Sequence, residues 1–190
     1  MPDPAELSDE ELVVQVRERD QELYRFVVER YEERLRRYAL TLVKDPDRAE
    51  DVLQSAFIKA FVNLQGFQVK KKFSSWIYRI VHNEAMNELK KHKREVSIDE
   101  TPEVHVVPDT KESAQEKFER KEIRRMLERC LDKLDIKYRE PLILFYFQDL
   151  VYEEIRDVLH IPIGTVGTRI NRGKKLLKTL YERETQAVTG

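Results

Sequence analysis

Apolar residues recur through most of this chain at the three- and four-residue spacing of a helix face, in blocks separated by polar or proline-bearing stretches. Leu23, Phe26, Val27, Tyr31, Leu35, Tyr38, Ala39 and Leu42 predict a first helix over about 20–43. Asp45-Pro46 closes it and opens the next, with Asp45 as N-cap and Pro46 at the first helical position. The second helix carries Ala49, Val52, Leu53, Ala56, Phe57, Ala60, Phe61 and Leu64 on its apolar side, and Gly66 ends it. A basic loop over 66–72 leads to a third helix over about 74–91, whose apolar side is Phe73, Trp76, Ile77, Ile80, Val81, Ala85 and Leu89. Between Glu95 and Lys117 the period is lost, Pro102 and Pro108 intervene, and the stretch reads as a linker. Periodicity resumes with Ile123, Leu127, Cys130, Leu131 and Leu134. Leu142 to Phe147 then reads as a short buried helix with Pro141 in its first turn. Two further helices, about 152–159 and 164–182, are joined by His160-Ile161-Pro162. The pattern predicts an all-α protein: a helical domain over 1–94, an acidic flexible linker over 95–118, a second helical domain over 119–184 and a tail over 185–190.

Composition agrees with long helices and few tight turns: 190 residues hold only 5 Gly and 7 Pro, with 41% hydrophobic and 37% charged residues. No apolar run approaches the roughly eighteen residues of a membrane span. Residues 1–11 are acidic and lack the apolar stretch of a secretory signal. The single cysteine, Cys130, falls on an apolar stripe and reads as a small core residue. A cytoplasmic protein without membrane insertion is expected.

The net charge of −1 hides an alternation. Residues 1–23 carry eight acids against Arg17 and Arg19; residues 69–94 carry eight bases against Glu84 and Glu88. Residues 95–119 return to eight acids against Lys111 and Lys117, and 164–183 hold six bases against Glu182. Two basic segments on a neutral chain suggest two polyanion-facing surfaces, although charge runs are also what ordinary solvated helix faces show. The acidic ends could also fold over the basic faces.

Three constellations follow. The last two helices have helix-turn-helix spacing, with Ile155, Val158 and Leu159 inward on one and Val166, Ile170, Gly173 and Leu177 on the other. Opposite that stripe the second helix presents Thr165, Thr168, Asn171, Arg172 and Lys175, with Arg169 alongside, the groups that base edges and phosphates accept. Backbone N–H groups over Pro162 to Thr165, Gly164 included, form a helix N-terminus suited to a phosphate. Second, the helix over 45–65 carries Asp51, Gln54, Ser55, Ile58 and Val62 away from its own core, a polar stripe with two aliphatics that suits a protein partner. Third, 69–94 mixes bases with Phe73, Trp76 and Tyr78, as a single-strand groove does, although Phe73 and Trp76 also fit the core pattern. The polar side of its helix shows Ser75, Arg79, His82, Asn83, Met86 and Lys90. No Walker loop, GxGxxG, HExxH or Cys-paired zinc spacing occurs, so no catalytic residue, metal or cofactor is expected.

These residues resemble the extracytoplasmic-function sigma factors, two-domain promoter-recognition subunits of bacterial RNA polymerase. Ala49-Glu50-Asp51-Val52-Leu53-Gln54, Phe57, Ala60-Phe61 and Asn63-Leu64 are similar to the family's polymerase-binding segment. Phe73 with Trp76 through Ile80 and Asn83 is similar to its segment that melts and reads the minus-ten element. Tyr152 through Ile155, Ile161 through Val166, and Thr168 through Arg172 resemble its helix-turn-helix for the minus-thirty-five element. The resemblance implies that Asp51, Gln54, Ser55 and Ile58 meet the clamp helices of the largest polymerase subunit. It implies that the loop 66–72, with Lys70, Lys71 and Lys72, and the following Ser75, Arg79, Asn83 and Lys90 hold the non-template strand. It implies duplex reading by Gly164, Thr165, Thr168, Arg169, Asn171, Arg172 and Lys175, a linker threading the RNA path, and control by an anti-sigma factor. The chain departs from the family's usual pattern at three places. Val151 stands where a capping Ser is usual, leaving Glu154 of the capping box; His160 stands where a Gly is usual, and would be strained at positive φ. Gly167 replaces a common Lys.

Two other functions fit parts of the pattern. A stand-alone helix-turn-helix regulator would bind duplex operators without polymerase. A helical protein-binding adaptor would show no salt-dependent DNA affinity.

Overall fold

The computed structural model describes residues 3–95 and 114–189. Every regular element among them is helical: α1 (Asp9–Glu18), α2 (Tyr24–Val43), α3 (Pro46–Val62), α4 (Phe73–Glu95), α5 (Ala114–Asp132), α6 (Ile136–Tyr146), α7 (Tyr152–Leu159) and α8 (Ile163–Thr189), with 3₁₀ turns at Gln21–Leu23 and Leu64–Gly66. One unit holds α1–α4 together with Glu153–Ile161; the other holds α5, α6 and α8. The expected linker lies outside the described residues as far as residue 113. Helix α5 occupies Ala114–Asp132, so residues 114–118 of the expected linker are helical.

Helix α1 is absent from the periodic pattern and is the main difference in the first unit. Ser8 opens it with a reciprocal capping box: its hydroxyl accepts from the Glu11 N–H, and the Glu11 carboxylate accepts from the Ser8 N–H at 2.9 Å. The Ser8 hydroxyl also donates to the Glu11 carboxylate at 2.7 Å, and this bond, with the one from the Ser8 N–H, holds the Glu11 carboxyl below its ordinary pKa. Leu12, Val13 and Val16 are buried, and the helix is tied to α2 by Arg30, which pairs with Asp9 at 2.9 Å and donates to the carbonyls of Pro4 and Ala5.

Helices α2, α3 and α4 pack against one another around Leu35, Tyr38, Val52, Leu53, Ala56, Ile77, Tyr78 and Val81. Asp45 caps α3 by accepting from the Arg48 N–H at 3.0 Å, as its position before Pro46 dictates. The helix ends at Val62 rather than Gly66, since the Asn63 side chain donates to the Lys59 carbonyl at 2.8 Å and the chain tightens into the 3₁₀ turn. Phe57 is half-buried and Phe61 is exposed, although the period places both inside; Phe61 leans on Tyr24, centroids 5.0 Å apart, and the Tyr24 hydroxyl donates to the Phe57 carbonyl.

In the second unit α8 packs on α6 and α5. Cys130 is buried as its stripe position requires, and burial raises its thiol pKa. Helix α6 begins five residues before Pro141, with Asp135 as cap accepting from the Lys137 N–H at 2.9 Å. Pro141 therefore sits inside the helix, not in its first turn, and gives up one intrahelical bond. Tyr146 and Phe147, expected in the buried run, are exposed, whereas Arg139 is buried, 3.5 Å from Asp132.

Two positions fix the geometry around α8. His160 has φ 52°, the left-handed conformation that its place between two helices calls for. His160→Val, β-branched at positive φ, is expected to lower stability by about 1–2 kcal/mol while His160→Gly stays near wild type, as read in denaturant melts. A Cβ on Gly173 would stand 2.9 Å from Leu142 Cδ1 and 3.2 Å from the Tyr138 carbonyl oxygen, so α6 and α8 meet at closer range than a side chain permits. Gly173→Ala gains about 1 kcal/mol of helix propensity but loses about 1–3 kcal/mol to overpacking. Gly173→Val lacks the gain and keeps a larger clash, so the expected order of midpoints is wild type, Ala, Val.

Candidate nucleic-acid interface

The exposed side of α8 starts from how the helix begins. The Pro162 carbonyl accepts from the Thr165 and Val166 N–H groups at 2.8 and 3.1 Å, so those two amides are engaged locally rather than offered to a phosphate. Val166, Ile170 and Gly173 are buried. The complementary positions Gly164, Thr168, Asn171, Arg172 and Lys175 are exposed, with Thr165 and Arg169 half-buried at the edge. Thr168 donates to the Gly164 carbonyl at 2.8 Å, which leaves its hydroxyl oxygen as an outward acceptor. The Arg172 guanidinium lies 6.0 Å from the centre of the Tyr138 ring. Gly167 is half-buried against Tyr152, whose ring carbon would be 3.3 Å from an added Cβ. The seven expected residues thus share one helix, five on its exposed face and two at the margin.

On α3, Asp51, Gln54, Ser55 and Ile58 are all exposed and share a face with Val62. Ile58 and Val62 are 63% and 71% exposed, although Val52, Leu53, Ala56 and Ala60 of the same helix are buried.

The chain between α3 and α4 is built on an aromatic cluster. Phe67 is buried, and its ring meets Phe73 at 5.4 Å and Trp76 at 5.3 Å; Phe73 in turn meets Tyr31 at 5.6 Å. Gln68 through Lys72 are exposed and close on themselves through the Lys71 N–H and the Gln68 carbonyl at 2.8 Å. Lys70, Lys71, Lys72, Asn83 and Lys90 are therefore surface groups, and Arg79 is half-buried. Ser75 is not on the polar face: it is buried, and its hydroxyl donates to the Lys72 carbonyl at 3.0 Å, closing the first turn of α4. Phe73 and Tyr78 are core residues and Trp76 is half-buried. The neighbouring Ser74 donates to Glu154 at 2.5 Å, so the carboxylate left over from the family's capping box has a partner on α4.

The periodic reading missed two residues at this loop. Arg17 of α1 donates to the Phe67 and Gln65 carbonyls, both at 3.0 Å, and to the Gln65 side-chain oxygen at 3.3 Å. Glu10 accepts the Phe73 N–H at 2.9 Å. The capping box Ser8-x-x-Glu11 ahead of Leu12, Val13 and Val16 was the available signal. Among the described residues no group of three His, Cys, Asp or Glu side chains could hold a metal ion, and no helix is long and apolar enough to cross a membrane.

Residues 27–95 match Sigma-70 region 2 and residues 124–177 match Sigma-70, region 4. The chain is 32% identical to the ECF RNA polymerase sigma factor SigW of Bacillus subtilis strain 168, over 87% of this chain and 92% of that protein. It is also 32% identical to the RNA polymerase sigma-H factor of Pseudomonas aeruginosa, over 89% and 91% respectively. Its fold is that of CnrH as solved with the cytosolic domain of CnrY, with a TM-score of 0.70 at 22% identity, covering 92% of this chain and 97% of that one. The sigma factor RpoE of Bartonella quintana, solved with the anti-sigma factor NepR, shares it with a TM-score of 0.69 at 23% identity, covering 84% and 96%. The helices, their order and these matches define a promoter-recognition subunit of RNA polymerase. The chain belongs to the ECF sigma factors, transcription initiation factors that bind core RNA polymerase and promoter DNA.

Proposed function

We propose that this sigma factor divides promoter recognition among three surfaces. The face Asp51, Gln54, Ser55 and Ile58 of α3 docks on the clamp helices of the largest polymerase subunit. The loop 66–72, with Lys70, Lys71, Lys72, Arg79, Asn83 and Lys90, receives the non-template strand of the melted minus-ten element; Ser75 serves it from inside, by fixing the first turn of α4. The exposed side of α8, Gly164, Thr165, Thr168, Arg169, Asn171, Arg172 and Lys175, reads the minus-thirty-five duplex. Residues 1–94 and 119–184 act as the two functional domains, with 95–118 as tether. The protein works in the cytoplasm as a specificity factor without an enzymatic step of its own. CnrH and the Bartonella quintana sigma factor RpoE were solved with protein partners, the latter an anti-sigma factor, and a partner of that kind holds this chain inactive.

The observation that carries this reading is the α3 face: two aliphatic side chains stand in solvent within a polar stripe, inside the segment that matches region 2. Run-off transcription with purified protein, core polymerase and fragmented genomic DNA of the host tests it. Discrete transcripts that require both proteins are expected. Tight duplex binding by the protein alone, with no transcripts, would replace it with a stand-alone regulator.

A further inference from the structure

We propose that α1 is a clamp on the base-reading loop, and that Arg17 and Glu10 are positioning residues for discrimination among minus-ten bases. The inference rests on the reading that the 66–72 loop holds the non-template strand, and adds what holds the loop.

The hydrogen bonds of these two side chains fall at the two ends of the exposed segment. Arg17 grips the backbone at Gln65 and Phe67, immediately before Gln68, and Glu10 takes the N–H of Phe73, immediately after Lys72. A guanidinium fork suits the first task, since it can place parallel N–H groups on two carbonyls at once, which a lysine cannot. A carboxylate suits the second, at the positive N-terminal end of α4. The five residues between have one backbone bond among themselves and lie in solvent. Left alone such a loop samples many conformations; pinned at both ends it presents one. Reading an unstacked base depends on groups held within a fraction of an ångström.

The clamp is anchored separately from the loop. Arg30 fixes α1 through Asp9, Pro4 and Ala5, Tyr31 donates to Asp9, and Leu12, Val13 and Val16 are buried. The Arg17 bonds, by contrast, go to Gln65 of the 3₁₀ turn and to Phe67, at the entry to the loop. Both residues also precede residue 27, where the match to region 2 begins.

The test uses holoenzyme reconstituted from the full chain and core polymerase. The probe is a single-stranded DNA library with six random nucleotides between fixed flanks, and sequencing of the retained fraction gives base preference. Arg17→Ala is expected to reduce the ratio of preferred to rejected bases about tenfold, the effect of one lost charge-assisted bond. Arg17→Lys should fall between the two. Glu10→Ala should flatten preference while Glu10→Gln, which keeps the acceptor oxygen, retains it. Leu42→Ala, a core truncation about three helical turns along α2 from Arg30, separates positioning from folding: it should lower the melting temperature and leave preference intact. Wild-type preference in Arg17→Ala, or parallel changes in melting and preference for Arg17→Ala and Leu42→Ala, would overturn the clamp alone. Alanine at Lys70, Lys71 and Lys72 together should weaken retention of all sequences; unchanged retention and preference there would remove the loop reading and the clamp with it.

Discussion

The double variant Gln54→Ala with Ile58→Glu is expected to lose co-elution with core RNA polymerase while melting at the wild-type temperature. Ile58 is 63% exposed and Gln54 is exposed, so neither contributes to the core that Val52, Leu53, Ala56 and Ala60 build on the other side of α3. Glu also forms helices at least as well as Ile, which keeps the helix intact. At an interface the same change acts strongly, because a carboxylate would replace an aliphatic anchor and lose its water without a partner. Losses of about 3 kcal/mol or more, over a hundredfold in affinity, are ordinary for such an anchor. Size-exclusion chromatography with core enzyme and a thermal melt decide it. Co-elution at the wild-type level would sink the α3 docking face, and a lowered melting point would show that the stripe belongs to the fold.

Legibility varied with the kind of interaction that fixes each element. Helices α2 to α4 were readable because apolar residues repeat every three or four positions, and α3 also had Asp45-Pro46 to mark its start. The inward stripe of α8 and the strained conformation of His160 were readable for similar local reasons. Helix α1 was not, since Leu12, Val13 and Val16 sit among acids that look like a solvated surface. Two of those acids have specific work: Asp9 pairs with Arg30 and accepts from Tyr31, and Glu10 caps α4. These two acids are therefore engaged on α2 and at the first residue of α4 rather than free. Ser75 escaped for another reason. A helical wheel places it outward, but residues in a helix's first turn bond back to the chain before them, here to Lys72. Phe61 shows the reverse error, an aromatic assigned to the core by period that stands exposed with its ring against Tyr24.

Arg172→Ala is expected to lower initiation at minus-thirty-five-dependent promoters by roughly 10–100-fold, the range for losing one base-reading arginine. Arg172 is exposed, and its guanidinium lies 6.0 Å from the Tyr138 ring centre, so stability should change by no more than about 0.5 kcal/mol. Co-elution with core polymerase should persist, because the α3 face is untouched. Lys175→Ala provides the contrast. A lysine on phosphate carries no sequence information, so its loss should weaken all promoters alike and reduce the slope of log affinity against log salt by about 1. Arg172→Ala should instead relax the preference at one base pair. The two variants are thus separated by what they do to sequence preference rather than by how much activity each removes. If Arg172→Ala lowers every promoter equally and shifts the salt slope as Lys175→Ala does, then Arg172 holds backbone, and base reading on α8 falls to Arg169, Asn171 and Thr168. If it lowers polymerase binding and initiation together, α8 is not a DNA-reading helix.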